Sequence, residues 1–171
     1  MTPCRASAEP AARVSAAEPI LVLGIGNILL GDEGAGVHAM RRLERDAGVA
    51  GVQFADGGTL SFTLAGLIES SPALIVLDAA EMKAEPGSVA VFEGERMDAF
   101  LGSGRKRSVH EVALLDLMAL AALAGNLPER RALIGIQPHS IDWSESPSER
   151  VAQALPEACR RARELIERWQ S

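Results

Sequence analysis

The chain of 171 residues carries 17 basic and 23 acidic side chains, which gives a net charge of −6. A hydrophobic content of 47 % beside 23 % charged residues is typical of a globular protein with one core, and the chain is short for two domains. The acidic excess argues against a phosphate-rich partner such as DNA or RNA. Two cysteines, Cys4 and Cys159, exclude a disulfide framework and a cysteine-rich metal site, and Cys159 is expected to be buried.

Two features of the chain bear on its location. No apolar run reaches the length of a membrane span, and residues 1–19 lack the apolar core of a secretory signal. We therefore expect a cytoplasmic protein with no membrane or nucleic-acid partner. Residues 1–19, rich in Ala, Pro and Arg, are predicted to form a disordered tail before a single domain at 20–171.

From residue 20 onward, apolar runs of strand length alternate with segments of helical spacing. The first strand is predicted at 20–23, and four more follow at 52–55, 73–77, 88–92 and 132–136. Helices are predicted at about 33–47, from a cap at Thr59 to about Glu69, at about 111–124, and from a cap at Ser146 onward. The Gly-, Arg- and Ser-rich stretch at 94–109 is predicted to be a loop.

This alternation predicts an α/β fold. We expect a three-layer α/β/α sandwich in which helices cover both faces of a twisted, five-stranded, mostly parallel sheet. The run at 73–77 is apolar at every position, which is typical of a strand buried on both faces. The fourth strand is expected to be an antiparallel edge.

Acidic side chains occur where the predicted strands end. The first strand leads through a glycine-rich turn to Asp32 and Glu33, the second ends at Asp56, and the third ends at Asp78. Ligands of an open parallel sheet bind beyond the carboxyl ends of its strands. These carboxylates are therefore expected to face one edge of the sheet.

Each carboxylate also has a structural interpretation. Asp56 before two glycines could organise a turn, and Asp32 or Glu33 could cap the first helix. Asp78 is harder to explain in this way. A carboxylate that closes an apolar strand loses its hydration unless it meets a cation, a hydrogen-bond donor or solvent in a cleft.

The three histidines differ as candidates for the same edge. His110, at the start of a predicted helix, could be a cap or a surface residue. Together with two carboxylates its imidazole would suit a borderline divalent metal such as nickel or zinc. His38 is expected on the surface of the first helix, and His139, after the fifth strand, is a weaker candidate.

Several common motifs are absent. The run that starts at Gly24 resembles a dinucleotide fingerprint, but Leu29 stands where close helix–strand packing needs the third glycine. The chain has no P-loop, no G-x-S-x-G elbow and no H-E-x-x-H helix. A carboxylate-rich edge with one strong histidine candidate is what remains.

Four segments resemble the motifs of the hydrogenase maturation endopeptidases. The opening motif of that family is similar to GIGNILLGDEGAGV at 24–37, and its later signatures are similar to DGGT at 56–59, LDA at 77–79 and SVHE at 108–111. The segments occur in the order of the family and cover roughly residues 20–137. One such motif is weak, whereas four in order are specific.

This resemblance implies an aspartic-type endopeptidase. Its substrate would be the large-subunit precursor of a nickel–iron hydrogenase, already loaded with nickel, from which it removes a C-terminal extension. The resemblance also implies that Glu33, Asp78 and His110 contact the nickel, which the precursor supplies and the peptidase does not hold permanently. The same three residues, with Asp56 as a further candidate, are the expected catalytic groups.

The chemistry leaves alternatives open. A carboxylate could activate water, or the metal could polarise the scissile carbonyl directly. No Ser, Cys or Thr nucleophile stands in a recognisable constellation, which disfavours a covalent intermediate. Two other classes of protein are also compatible with the residues: a non-cleaving, nickel-dependent checkpoint that binds the same precursor, and a generic metal-dependent hydrolase.

Overall fold

A computed structural model of the protein describes residues 19–46, 50–59, 62–103 and 109–171, without the side chains of Phe62 and residues 109–112. The disordered tail predicted at 1–19 lies, apart from Pro19, outside the described residues, as does Cys4.

Five strands form one sheet. Their bounds are β1 Ile20–Ile25, β2 Val52–Gly58, β3 Ala73–Ala79, β4 Val89–Glu93 and β5 Arg130–Ile136. The order across the sheet is β2-β1-β3-β5-β4, with parallel pairing throughout except between β4 and β5. The mostly parallel sheet and its antiparallel edge strand are both confirmed.

Five α-helices connect the strands: α1 Ala35–Asp46, α2 Ala65–Glu69, α3 Glu95–Gly102, α4 Val109–Leu123 and α5 Glu149–Gln170. Short 3₁₀ turns at Gly31–Gly34 and Phe62–Leu64 precede α1 and α2. α1 and α5 pack against one face of the sheet, whereas α2, α3 and α4 pack against the other, which confirms the three-layer sandwich. None of the helices within the described ranges is long and apolar enough to cross a bilayer.

The helix α3 lies inside the stretch predicted to be a loop, so that prediction is wrong. Met97 and Leu101 are buried four residues apart on one helical face, and Phe100 stacks on Phe92 with ring centroids 4.3 Å apart. This apolar spacing was present in the sequence. The glycines and basic residues that follow it are typical of a loop and favoured the wrong assignment.

The starts of two other helices also differ from prediction. The last helix begins at Glu149, with Ser148 in the capping position that was predicted for Ser146. The Ser146 N–H instead bonds to the Ser144 hydroxyl oxygen at 3.2 Å. The helix predicted from Thr59 is shorter than expected, because α2 begins only at Ala65.

Two glycines allow the start of α1 to lie directly against the ends of β1 and β3. A Cβ atom on Gly36 would lie 2.1 Å from the Leu77 carbonyl oxygen and 2.5 Å from that of Ile25. Gly26, with φ of +132°, would place a Cβ 1.9 Å from the Glu33 carbonyl oxygen. These contacts bring the turn that carries Glu33 next to the end of β3.

We expect Gly36→Ala to lower the free energy of unfolding by about 2–3 kcal/mol, because the added methyl must displace backbone atoms. Urea denaturation would measure the change. Gly66→Ala is a matched control: no atom lies within 4 Å of the new Cβ, and the residue is in a helix. It should raise stability by up to about 1 kcal/mol. Equal effects of the two substitutions would contradict the close approach at Gly36.

Candidate active site

The carboxyl ends of β1 and β3 form a switch point in the sheet. The chain leaves β1 through α1 towards β2 at one side, whereas it leaves β3 towards β4 at the opposite edge. The last paired residues of the two strands are Gly24 and Leu77, so the strands part immediately before Asp78. Crevices that bind ligands form at such points in open α/β sheets.

Asp78 and Glu33 lie on the two sides of this switch point. Asp78 is 1 % exposed and pairs in register with Gly135 of β5. Because side chains alternate along a strand and Leu77 packs on the α1 and α5 side, Asp78 projects towards the side covered by α4. Glu33 is partly buried in the 3₁₀ turn after β1. The acidic edge predicted from the sequence thus contains both residues.

His110 is the second residue of α4, on the face towards which Asp78 projects. Its side chain lies outside the described part of the structure. Among the side chains that are described, no group of three His, Cys, Asp or Glu residues could hold a metal ion. The set of Glu33, Asp78 and His110 stays a prediction.

Both carboxylate oxygens of Asp56 take part in local contacts. Oδ2 accepts a hydrogen bond from Arg41 of α1 at 2.9 Å, and Oδ1 accepts one from the Gly58 N–H at 2.9 Å. The side chain is 41 % exposed, and a surface ion pair of this kind contributes at most about 1 kcal/mol. Asp56 lies within β2 beside a register shift in the pairing with β1, so the turn expected at this position is wrong. A catalytic role for Asp56 stays a prediction.

Asp32 is a buried carboxylate with a different role from the helix cap that was considered for it. The 3₁₀ turn that contains it has no side-chain cap. Instead, Oδ2 accepts hydrogen bonds from the N–H groups of His139 at 2.8 Å and Ser140 at 3.0 Å and from the Ser148 hydroxyl at 2.8 Å. Oδ1 accepts a fourth from the Ser148 N–H at 2.6 Å. Asp32 thereby joins the β1–α1 turn to the segment between β5 and α5.

The hydrogen bonds to Asp32 also set its charge. Burial by itself raises the pKa of this carboxyl group, but the bonds from Ser140, Ser148 and His139 outweigh burial and hold the pKa below its ordinary value. Asp32 is therefore ionised at neutral pH. No local sequence pattern predicts this contact, since its partners lie more than 100 residues away along the chain.

The other two histidines lie in different surroundings. His139 is exposed, and its backbone N–H is the group that binds Asp32. His38 is only partly exposed, and its Nε2 atom is buried with no hydrogen-bond partner in the described ranges. Burial, assisted by the charge of Arg41, lowers the pKa of His38. The expectation of a surface position for His38 is therefore wrong in part.

Cys159 is 2 % exposed in α5, and burial raises the pKa of its thiol. Its Sγ atom lies 3.4 Å from the Ala39 carbonyl oxygen of α1. The prediction that Cys159 is buried is confirmed.

Gln137 is a residue near the site that sequence reasoning missed. It is 5 % exposed, and its amide oxygen accepts hydrogen bonds from the N–H groups of Met82 at 2.8 Å and Ala84 at 3.3 Å. Its amide nitrogen donates to Glu81 at 3.1 Å. Gln137 thus fixes the segment that follows Asp78. The sequence pattern that could have identified Gln137 is a polar residue directly after an apolar strand. The same pattern identified Asp78 as a candidate.

Comparisons with known proteins agree on one family. A sequence model described as hydrogenase maturation protease (HycI) matches residues 37–165. The hydrogenase expression/formation protein HupD of Rhodobacter capsulatus is 38 % identical over 154 residues, which are 89 % of this chain and 73 % of that protein.

Solved structures show the same likeness. The hydrogenase maturating endopeptidase HybD from Escherichia coli has a TM-score of 0.76 at 31 % identity, with 84 % of this chain and 89 % of that chain covered. The nickel–iron hydrogenase maturation protease HybD from Thermococcus kodakarensis has a TM-score of 0.71 at 30 % identity, with 86 % and 98 % covered.

Proposed function

Since this chain belongs to the hydrogenase maturation protease family and is a peptidase, we propose that it removes the C-terminal extension of a nickel-loaded hydrogenase large-subunit precursor. The protease from Thermococcus kodakarensis, which is named for nickel–iron hydrogenase, supports a substrate of that class. The cytoplasm is the proposed location of this reaction. The net charge of −6 fits a protein partner better than a nucleic acid.

The observation that carries the proposal is the nearly complete burial of the Asp78 carboxylate at the switch point, beside the turn that holds Glu33. Perturbed or buried carboxylates in such crevices are candidates for function. Carboxylate oxygen and imidazole nitrogen both suit Ni²⁺, and three protein donors would leave positions for ligands from the precursor. In this proposal Glu33, Asp78 and His110 recognise nickel as part of the substrate.

Binding of the nickel by Glu33, Asp78 and His110 would then position the scissile peptide bond next to these three side chains. A carboxylate takes a proton from the attacking water, and that proton passes to the leaving amine as the bond breaks. Asp56 suits this role less well, because its side chain is 41 % exposed and forms an ion pair with Arg41, whereas Asp78 is almost fully buried at the switch point. The missing Ser, Cys or Thr constellation supports direct attack by water over a covalent intermediate.

Intact mass spectrometry of the products would test this function. After incubation with the purified protein, the nickel-loaded precursor should lose a short C-terminal peptide, whereas the nickel-free precursor should keep its full mass. Binding without any loss of mass would contradict the proposal and fit the non-cleaving checkpoint. Tight binding of nickel by the free protein in calorimetry, with hydrolysis of small substrates, would fit a generic metal-dependent hydrolase.

A further inference from the structure

Three large apolar side chains are exposed near the turn that carries Glu33. Leu29 is 44 % exposed, Ile141 is 54 % exposed, and Trp143 is 82 % exposed. We call these three residues the apolar rim. Single exposed apolar residues are ordinary on protein surfaces, but a tryptophan exposed together with two aliphatic residues on adjoining segments is typical of an interaction surface.

The two segments of the apolar rim are hydrogen-bonded to each other. The Ser144 N–H donates to the Leu29 carbonyl oxygen at 3.0 Å, and the Gly31 N–H donates to the Ser144 carbonyl oxygen at 2.8 Å. A parallel bridge pairs Leu30 with Ser144, so its register sets Leu29 alongside Trp143.

Further contacts hold each segment in place. The side chain of Asn27 accepts a hydrogen bond from the Leu29 N–H at 3.0 Å, and Asp32 binds His139, Ser140 and Ser148 on both sides of Trp143. An exposed apolar surface on an ordered backbone is preorganised. A partner that covers it therefore loses little free energy to ordering of these loops.

The apolar rim lies close to Glu33 along the chain. Only four residues of chain lead from Leu29 to Glu33, which is a span of at most roughly 14 Å. A peptide that reaches Glu33 in an extended form can therefore cover Leu29 and Trp143 with about four of its residues.

Charge indicates the chemistry of the partner. The exposed carboxylates of Asp142 and Glu145 flank Trp143, and neither forms an ion pair with any basic side chain in the described part of the chain. A complementary segment would present an apolar side chain to the rim and a basic side chain beside it.

We infer that the apolar rim binds the C-terminal segment of the precursor next to the scissile bond, through an apolar residue with a basic neighbour. This inference rests on the proposed function. It adds a docking contact, separate from metal recognition, that holds the substrate chain in register with the site. Loss of the rim should therefore weaken binding of the substrate and leave the chemistry of the bound complex intact.

Trp143→Ala tests the inference in a processing assay with nickel-loaded precursor. We expect KM to rise about tenfold, while kcat changes less than about twofold, since aromatic anchors commonly contribute this much to binding. Leu123→Ala is the matched control, because Leu123 is 87 % exposed on α4 and lies outside the rim. It should leave both constants unchanged. Thermal unfolding would verify that both variants are folded.

A second measurement does not depend on cleavage. In a Trp169→Phe background Trp143 is the sole tryptophan, and a synthetic peptide copying the C-terminal region of the precursor should shift its fluorescence to shorter wavelength. The inference would be overturned if Trp143→Ala trimmed the precursor with the KM of the wild-type protein. It would also be overturned if the peptide left the fluorescence of Trp143 unchanged. Failure of the wild-type protein to trim the precursor would instead contradict the proposed function, whatever the peptide does.

Discussion

Asp78→Asn should abolish processing of the nickel-loaded precursor, with a rate at least roughly 100-fold below wild type. Asparagine keeps the shape of the side chain, but it removes the negative charge that would bind nickel or accept a proton. Glu33→Gln and His110→Ala should have effects of similar size. Intact mass spectrometry over a time course would give the rates, and urea denaturation would show whether each variant is folded.

The control for these three variants is His38→Ala. His38 lies in α1 and has no role in the proposed site, so its loss should change the rate of processing little. If folded Glu33→Gln, Asp78→Asn and His110→Ala all trimmed the precursor at the wild-type rate, the assignment of the site would be wrong.

Asp32→Ala should lower the free energy of unfolding by about 3–5 kcal/mol, the largest effect on stability that we expect. The substitution removes a buried charge that accepts four hydrogen bonds, and it leaves the donors of His139, Ser140 and Ser148 unpaired. Urea denaturation would measure the loss. Asp116→Ala, at an exposed position of α4, is the matched control and should change stability by less than about 0.5 kcal/mol. Equal stability of the two variants would contradict the role of Asp32.

The lowered pKa of Asp32 should make the stability of the protein depend on pH. The folded pKa of Asp32 lies below its ordinary value of 3.8, so the folded state binds this proton less tightly than the unfolded state. The contribution of Asp32 is fully present above the ordinary pKa and is lost as the pH falls through the folded pKa. The stability difference between wild type and Asp32→Asn should therefore shrink from about pH 4 downward. A difference that stays constant into strong acid would contradict this explanation.

The sheet was predictable because its signals are local. Each strand is a short apolar run bounded by glycine, proline or an acidic residue, and the fully apolar run at 73–77 became the buried central strand β3. The antiparallel direction of β4 had no local signal of this kind; it is set by the pairing of β4 with β5 at the edge of the sheet. The helix α3 was missed because its apolar spacing spans only two turns and leads into a glycine-rich stretch.

The candidate site was predictable in part. Asp78 and Glu33 could be assigned to one edge because the carboxyl ends of parallel strands meet there. The contacts of Asp32 and Gln137 could not be derived, because each joins segments that are far apart in the chain, and no local pattern reports such pairings. The position of the imidazole of His110 relative to Glu33 and Asp78 stays a prediction.

The bonds of Asp32 have a consequence for biosynthesis. They link residues separated by 107 to 116 positions, so a nascent chain cannot complete them until β5 and the start of α5 have left the ribosome. Contacts of such high sequence separation form late, after the local elements. A partly translated chain would thus already contain Glu33 and Asp78, but the segments around them would not yet be held in place. The protein would become able to cleave its substrate only after the last third of the chain has been made.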